Sequence, residues 1–353
     1  MSKLLTISIA AYNVEKTIEE CLDSFSPCKH LSDLEILVIN DGSTDHTVEI
    51  VSGYEKKYPG IIKLVDKEIG GHRSTINKSL SLATGKFFKV IDGDDWVDSV
   101  ELDKLCDCLK STEAELVIND YMEVYPNHKR RVSLRNGYVT GKIYAFDDLL
   151  DLLVDTSHLR DMFAMHSCTI LTRRLRDVHM HITEHCFYAD TEYVYFVELA
   201  ARTVLFNDSC AYQYRLGQAG QSVSPEGMYK HIEDLIKIEY SLIQMYHRDS
   251  AQINSPVRKK YLFAIVDTRY SMLFDCFTRT IQKCDKDGLF VEFLSKVKAN
   301  YPDILSQIHL SRTNSYVAGA PGDRVPLMRH FCKTKTFKIL RAVKHLIKPV
   351  PNQ

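Results

Sequence analysis

Three carboxylates stand within four residues at Asp92-Gly93-Asp94-Asp95-Trp96, directly after the apolar run Lys86–Ile91. Acids packed this tightly repel one another. A hard divalent cation such as Mg2+ or Mn2+ would relieve that repulsion, because it takes carboxylate oxygens and shares itself with substrate phosphates. The same residues also suit an acidic turn leading into a helix from Val97, with Asp95 or Asp98 as its cap. A second polar run, Asn40-Asp41-Gly42-Ser43-Thr44-Asp45, follows the apolar run Glu35–Ile39. A further acid, Asp190, lies in Phe187-Tyr188-Ala189-Asp190-Thr191-Glu192, at the entrance to an apolar stretch that reaches Ala201. At a helix entrance it reads as an N-cap. An EF-hand is disfavoured, since its downstream acid and flanking helices are missing. No P-loop and no G-x-G-x-x-G fingerprint occurs.

The elements that must position these acids alternate. Leu4–Ala10, Glu35–Ile39, Ile61–Val65, Lys86–Ile91 and Glu115–Ile118 are short runs rich in Ile, Leu and Val, and they predict buried strands. Val14–Phe25, Thr44–Lys57, Ser74–Ala83 and Val97–Leu109 predict helices between them. Alternating strands and helices imply an α/β fold with a mostly parallel sheet. Ligands in such sheets bind outside the carboxyl ends of the strands, where both acidic runs fall. From Tyr121 to Lys142 the pattern loosens and turns basic, which predicts a solvated hairpin or loop. Helical character resumes at Phe146–Val154, and Ser167–Thr172 predicts one more strand.

Composition narrows the class. At 353 residues the chain is long enough to bury a core without a disulfide or metal staple. The 45 basic and 46 acidic side chains argue against a nucleic-acid binder. The ten cysteines contain no C-x-x-C pair, so reduced thiols are expected rather than a zinc ribbon or disulfide framework. No signal-peptide pattern and no spanning apolar run are read, so a cytoplasmic protein is expected. The near-neutral total hides an asymmetry. From Arg324 to Gln353 there are eight Lys or Arg and no acid, which leaves the first 323 residues at a net charge of -9.

The motifs, taken in order, resemble the family 2 glycosyltransferases. Ser8-Ile9-Ala10-Ala11-Tyr12-Asn13-Val14-Glu15 is similar to the family's first strand and base-side loop. Glu35 to Asp45 resembles its second signature, and Gly70-Gly71-His72-Arg73-Ser74-Thr75-Ile76-Asn77 its third. Val90 to Trp96 resembles the D-x-D segment, Phe187 to Glu192 the catalytic-base segment, and Tyr214-Arg215-Leu216-Gly217 with Gly220-Gln221-Ser222 a late loop. The chain has Ala10 where the pattern usually has Pro, Ile76 where it often has Arg, and Ala189 where an acid often precedes the base.

The resemblance implies a GT-A nucleotide-diphospho-sugar transferase fold, a Rossmann-like mixed sheet, over residues 1–225. It implies an inverting, metal-dependent transfer from a UDP-sugar or other nucleoside diphosphate sugar to a hydroxyl of a glycan or lipid-linked acceptor. Asp190 is then the general base. Ala11, Tyr12, Asn13, Asp41, His72, Arg73, Asp92 and Gly93 are expected at the nucleotide. Asp94 and Asp92 are expected on Mn2+ or Mg2+, with Asp95, Trp96, Tyr188 and Glu192 at the acceptor or sugar pocket. A noncatalytic sugar- or membrane-binding module, or a nucleotidyltransferase, are the competing readings.

Beyond the motifs, Ile232, Leu235, Ile236, Leu242, Ile243 and Tyr246 fall near a 3.6-residue period, which predicts a helical region over 226–323 that could mediate homo-oligomers. In the last segment, 324–353, Ile339, Leu340, Val343, Leu346 and Ile347 project onto one helix face and basic residues onto the other. Such a tail can lie on an anionic membrane surface or dock on the acidic body.

Overall fold

The computed structural model describes residues 3–133, 138–153, 163–188, 190–217, 225–276 and 287–308. The tail from Arg324 to Gln353 and the motif Gly220-Gln221-Ser222 lie outside them. Contacts divide the chain into residues 1–219 and 220–353.

The first unit runs β1 (Leu5–Ala11), α1 (Ile18–Asp23), β2 (Leu34–Asp41), α2 (Thr47–Lys57), β3 (Ile62–Lys67), α3 (His72–Leu82) and β4 (Phe87–Asp92). It continues through β5 (Trp96–Val97), α4 (Ser99–Ser111), β6 (Leu116–Val124), β7 (Lys129–Val132), β8 (Ile143–Ala145) and α5 (Phe146–Leu153). It closes with β9 (Cys168–Leu171), α6 (Thr172–Asp177), α7 (Asp190–Ala200) and β10 (Thr203–Arg215). The strands form one mixed sheet in the order β3-β2-β1-β4-β9-β6-β10-β5, with β7 added to β6 and β8 to β10. β1, β2, β3 and β4 pair in parallel. β9 lies antiparallel between β4 and β6.

Every residue of β1 is buried, and so is all of β2 except Glu35. Strands buried on both faces need helices above and below, and their near-continuous apolar runs are the sequence signature of that environment. α4 shows how one helix is set. The Asp98 carboxylate accepts the Val100 and Glu101 N–H groups at 3.0 Å each and caps it. Leu102, Leu105, Cys106 and Leu109 then recur at helical spacing and pack into the core with Ile9, Val38 and Ile91.

Three expectations change here. The first helix starts at Ile18 rather than Val14, because the Val14 N–H is donated to Thr47 Oγ1 and the Glu15 N–H to Asp45 Oδ2, tying this stretch to the loop after β2. The basic stretch after Tyr121 is not merely solvated. β7 pairs antiparallel with β6, Arg130 forks onto Glu123 at 2.7 and 2.9 Å, and Arg131 donates to the buried Asp120 at 2.8 Å. The third change is β10, which the sequence pattern did not predict.

The second unit contains α8 (Pro225–Lys230), α9 (Ile232–Ser250), α10 (Pro256–Asp275) and α11 (Asp287–Asn300). Ile232, Leu235, Leu242, Ile243 and Tyr246 are buried along α9, whereas Ile236 is only partly so. Ser255 caps α10 by accepting the Arg258 N–H at 3.2 Å.

Candidate active site

The parallel strands end on one side of the sheet, and the loops that follow them are stitched together there. Asn13, after β1, accepts the Thr44 N–H at 2.8 Å and donates its own N–H to Ser43 Oγ at 3.0 Å. Its φ of 51° is a left-handed conformation that Asn tolerates better than most residues. Ala11 is buried at the end of β1, and Tyr12 stands 53% exposed beside it. Asp41, at the end of β2, turns inward. Its Oδ1 accepts the Lys67 ammonium at 2.6 Å, the Gly70 N–H at 2.7 Å and the Ser74 hydroxyl at 3.3 Å. This carboxylate therefore anchors the Gly70-Gly71 loop to the sheet. α3 begins at His72, which puts His72 and Arg73 in its first turn; their side chains lie outside the described residues. Ile76 is fully buried.

Gly93 shows why no side chain fits after β4. Its N–H is donated to the Ala10 carbonyl at 3.1 Å, and a Cβ there would lie 2.6 Å from that oxygen. The acids around it divide by role. Asp98 takes the helix cap, so Asp95 is left for another task. Asp95 is 1% exposed, accepts the Tyr212 hydroxyl at 2.6 Å and the Arg215 N–H at 2.7 Å. Burial, with Asp92 and Asp94 adding, pushes its carboxyl up to about 9. The Tyr212 hydroxyl also contacts Asp92, accepting its N–H at 3.2 Å and lying 3.3 Å from Oδ2.

His166 completes the cluster. It lies on the short 3-10 turn Met165–Ser167, packed on the Tyr214 ring at 4.2 Å and edge-on to Tyr212 at 4.6 Å. Its Nε2 is 4.0 Å from Asp92 Oδ2. Burial lowers its affinity for a proton, which keeps the imidazole in the neutral form that ligates metals. Ligand atoms of Asp92, Asp95 and His166 lie within 4.8 Å of one another. The expected pair was Asp92 with Asp94. Asp92 is in the converging set; Asp94 is exposed and outside it, and its carbonyl accepts Arg215 Nε at 2.8 Å. Two carboxylates and an imidazole are a donor set for a divalent cation, and the raised Asp95 carboxyl marks a place where added positive charge would be stabilising.

Arg215 fastens this corner. Besides its bonds to Asp95 and Asp94, it reaches Glu20 Oε2 at 2.6 Å and lies 4.5 Å over the Trp96 ring. Trp96 also lines an open cleft of about 330 Å³ with Ser24, Asp98, Lys129 and Gln213. Asp190 opens α7 with its side chain exposed. Burial, then Asp92, Asp95 and Asp190, raise the Tyr214 phenol, and Asp190 also acts on His166. Asp190 thus shares one electrostatic field with the acid cluster. Glu192 was expected in a sugar pocket but is fully buried, accepting the Thr183 N–H at 2.6 Å and hydroxyl at 2.8 Å. Tyr188 is likewise buried, with a φ of 64°, while Phe187 stands 45% exposed.

His166, Tyr212 and Lys89 were not anticipated from the sequence. Lys89 is fully buried in β4 and donates to the His166 carbonyl at 2.7 Å. Tyr212 and Tyr214 alternate along a strand directly before Arg215, a period-2 signal that was available. His166 has no local signal; only the fold brings it to Asp92.

The family model described as Glycosyl transferase family 2 matches residues 6–177. "Uncharacterized glycosyltransferase EpsJ" of Bacillus subtilis (strain 168) is 35% identical over 117 residues, 33% of this chain and 33% of that protein. "Poly(ribitol-phosphate) beta-glucosyltransferase" of Bacillus spizizenii is 29% identical over 117 residues, 32% of this chain and 18% of that protein. The chain thus spans 33% and 18% of the length of these two relatives. The solved structure of S. aureus TarS 1-349 in complex with UDP-GlcNAc matches with a TM-score of 0.61 at 20% identity, covering 88% of this chain and 87% of that one. That likeness is one of fold, and the fold is of the GT-A type that the sequence resemblance implied.

Proposed function

Residues 6–177 are a glycosyltransferase family 2 domain, and on that premise we propose that the chain transfers a sugar, with inversion, from a UDP-sugar to a hydroxyl of a cell-surface glycan or lipid-linked acceptor. The observation that carries this reading is the meeting of Asp92, Asp95 and His166, within the field of Asp190. TarS holds UDP-GlcNAc in its structure, which favours a UDP-sugar donor, and one relative is named for glucosyl transfer to poly(ribitol-phosphate), which favours a polymeric hydroxyl acceptor.

The residues divide the work. Tyr12 offers an exposed ring to the base, and Ala11, Asn13 and Gly93 shape the floor beneath it. Asp41 holds the Gly70-Gly71 loop so that α3 starts toward the diphosphate, where His72, Arg73 and the helix N-terminus favour an anion. Asp92, Asp95 and His166, with Asp94 at the rim, would hold Mn2+ or Mg2+. A bound cation would supply the charge that stabilises the leaving diphosphate. Asp190 takes the proton of the acceptor hydroxyl as its oxygen attacks the anomeric carbon. The new C–O bond forms as the bond to the diphosphate breaks, so the anomeric centre inverts. Trp96 and the cleft beside it face the acceptor.

The test is a panel of UDP-sugars with Mn2+ and glycan acceptors, read by UDP release and by NMR of the new linkage. Turnover of one donor with inverted configuration is expected. Retention of configuration, or no UDP release from a folded protein, would overturn the reading. The eight Lys and Arg residues from Arg324 onward support a further contact, with an anionic membrane on its cytoplasmic side. The full chain should co-sediment with vesicles containing phosphatidylglycerol and a chain ending at residue 323 should not; equal binding would remove the tail from that role.

A further inference from the structure

Between α6 and α7 the chain runs without regular structure, and it must deliver Asp190 to one place. It does so through three left-handed non-glycine residues, His179 at φ 51°, His185 at φ 55° and Tyr188 at φ 64°. Such conformations cost energy and persist only where surrounding bonds over-determine them. The bonds come from three sides. His185 donates its N–H to the Gly70 carbonyl at 2.8 Å, and Glu192, inside α7, grips Thr183. Asn77 makes the third and largest set. Its Nδ2 donates to the Ile182 carbonyl and to Glu184 Oε1, both at 2.9 Å, and its Oδ1 accepts the Ile182 N–H at 2.9 Å.

That pattern is peptide-like. One amide side chain pairs with both backbone groups of Ile182, as a neighbouring strand would, and only a side chain with donor and acceptor side by side can do so. Asn77 lies on α3, whose first turn is the proposed diphosphate contact. It stands between the proposed donor side of the site and the chain that leads to the base, and its bonds go to Ile182 and Glu184.

We propose that Asn77 is a positioning residue for Asp190, clipping residues 182–184 to α3 so that α7 begins with its first carboxylate at the acid cluster. The inference rests on the reading of Asp190 as the base. A misplacement of about 1 Å by a remote group can cost ~10²-fold in rate. Asn77→Asp keeps the volume and the bond from the Ile182 N–H but loses the two donated bonds, and Asn77→Ala loses all three.

In the full chain both variants should lower kcat by about 10–10²-fold. UDP affinity with Mn2+ should stay at its wild-type value by calorimetry. Combined with Asp190→Asn, neither should lower turnover further, because a residue acting through the base has nothing left to position. If each lowers turnover by the same factor in both backgrounds, Asn77 acts elsewhere and the inference fails. Normal turnover in the two single variants, with Asp190→Asn impaired, overturns it alone. Near-normal turnover of Asp190→Asn itself would overturn the base reading and the inference together. Should Asn77→Ala melt at assay temperature, the folded Asn77→Asp variant carries the test.

Discussion

Asp95 and Asp98 are three residues apart and meet opposite environments. Asp98 caps a helix at the surface; Asp95 sits under Tyr212 and the Arg215 N–H with its carboxyl pushed up to about 9. Asp190 is exposed at the start of α7 and is the proposed base. Asp190→Asn should keep UDP affinity with Mn2+ and lose about 10²–10⁴ in turnover, checked by pairing calorimetry with initial rates. Lys89 gives a second residue-scale prediction. Burial drives its ammonium down from 10.5 to about 8. Below the folded value both states are charged and the folded state carries the cost of a buried charge. Between the two values the unfolded chain holds more protons, so stability rises with pH across that window. Relative to Lys89→Met, the wild type should gain on the order of 3 kcal/mol between pH 8 and 10.5 in urea titrations; a flat difference would refute the assignment.

Among elements, the glycines separate those that need space from those that do not. A Cβ on Gly85, just before β4, would lie 2.4 Å from the Thr6 backbone nitrogen in β1, whereas one on Gly53 in α2 meets nothing within 4 Å. Gly85→Ala should therefore cost at least ~1–3 kcal/mol, and Gly53→Ala should add about 0.5–1 kcal/mol. Urea midpoints of the two variants check both signs. The buried parallel strands were legible because each is an unbroken apolar run. β7 was not, because Lys129, Arg130 and Arg131 look solvated until Glu123 and Asp120 on the neighbouring strand are seen to neutralise two of them. β10 was hidden by Asn207 and Asp208, which stand where its pairing with β6 shifts register. The acids of the site were readable from local spacing, since they follow strand ends. His166 and Asn77 were not, since their roles depend on partners far along the chain.

At the scale of the whole molecule, the ten strands and all the site residues named above belong to the unit ending at residue 219, and α8–α11 to the other. A chain of residues 1–219 should then unfold cooperatively and bind UDP with Mn2+ as the full chain does; a large loss of affinity in calorimetry would show that the helices complete the site. Among the described residues no helix is long and apolar enough to cross a membrane.

The pairing of β5 with β10, Trp96 to Gln213 and Val97 to Tyr212, joins positions well over a hundred residues apart. A ribosome making roughly 5–20 residues per second needs on the order of 10 s to travel that interval. During it Asp95 has neither the Tyr212 hydroxyl nor the Arg215 amide, and the acid trio is an ordinary hydrated loop. The nascent chain can bring Tyr212 and the Arg215 N–H onto Asp95 only when β10 emerges and docks, so this corner is among the last parts of the sheet to form.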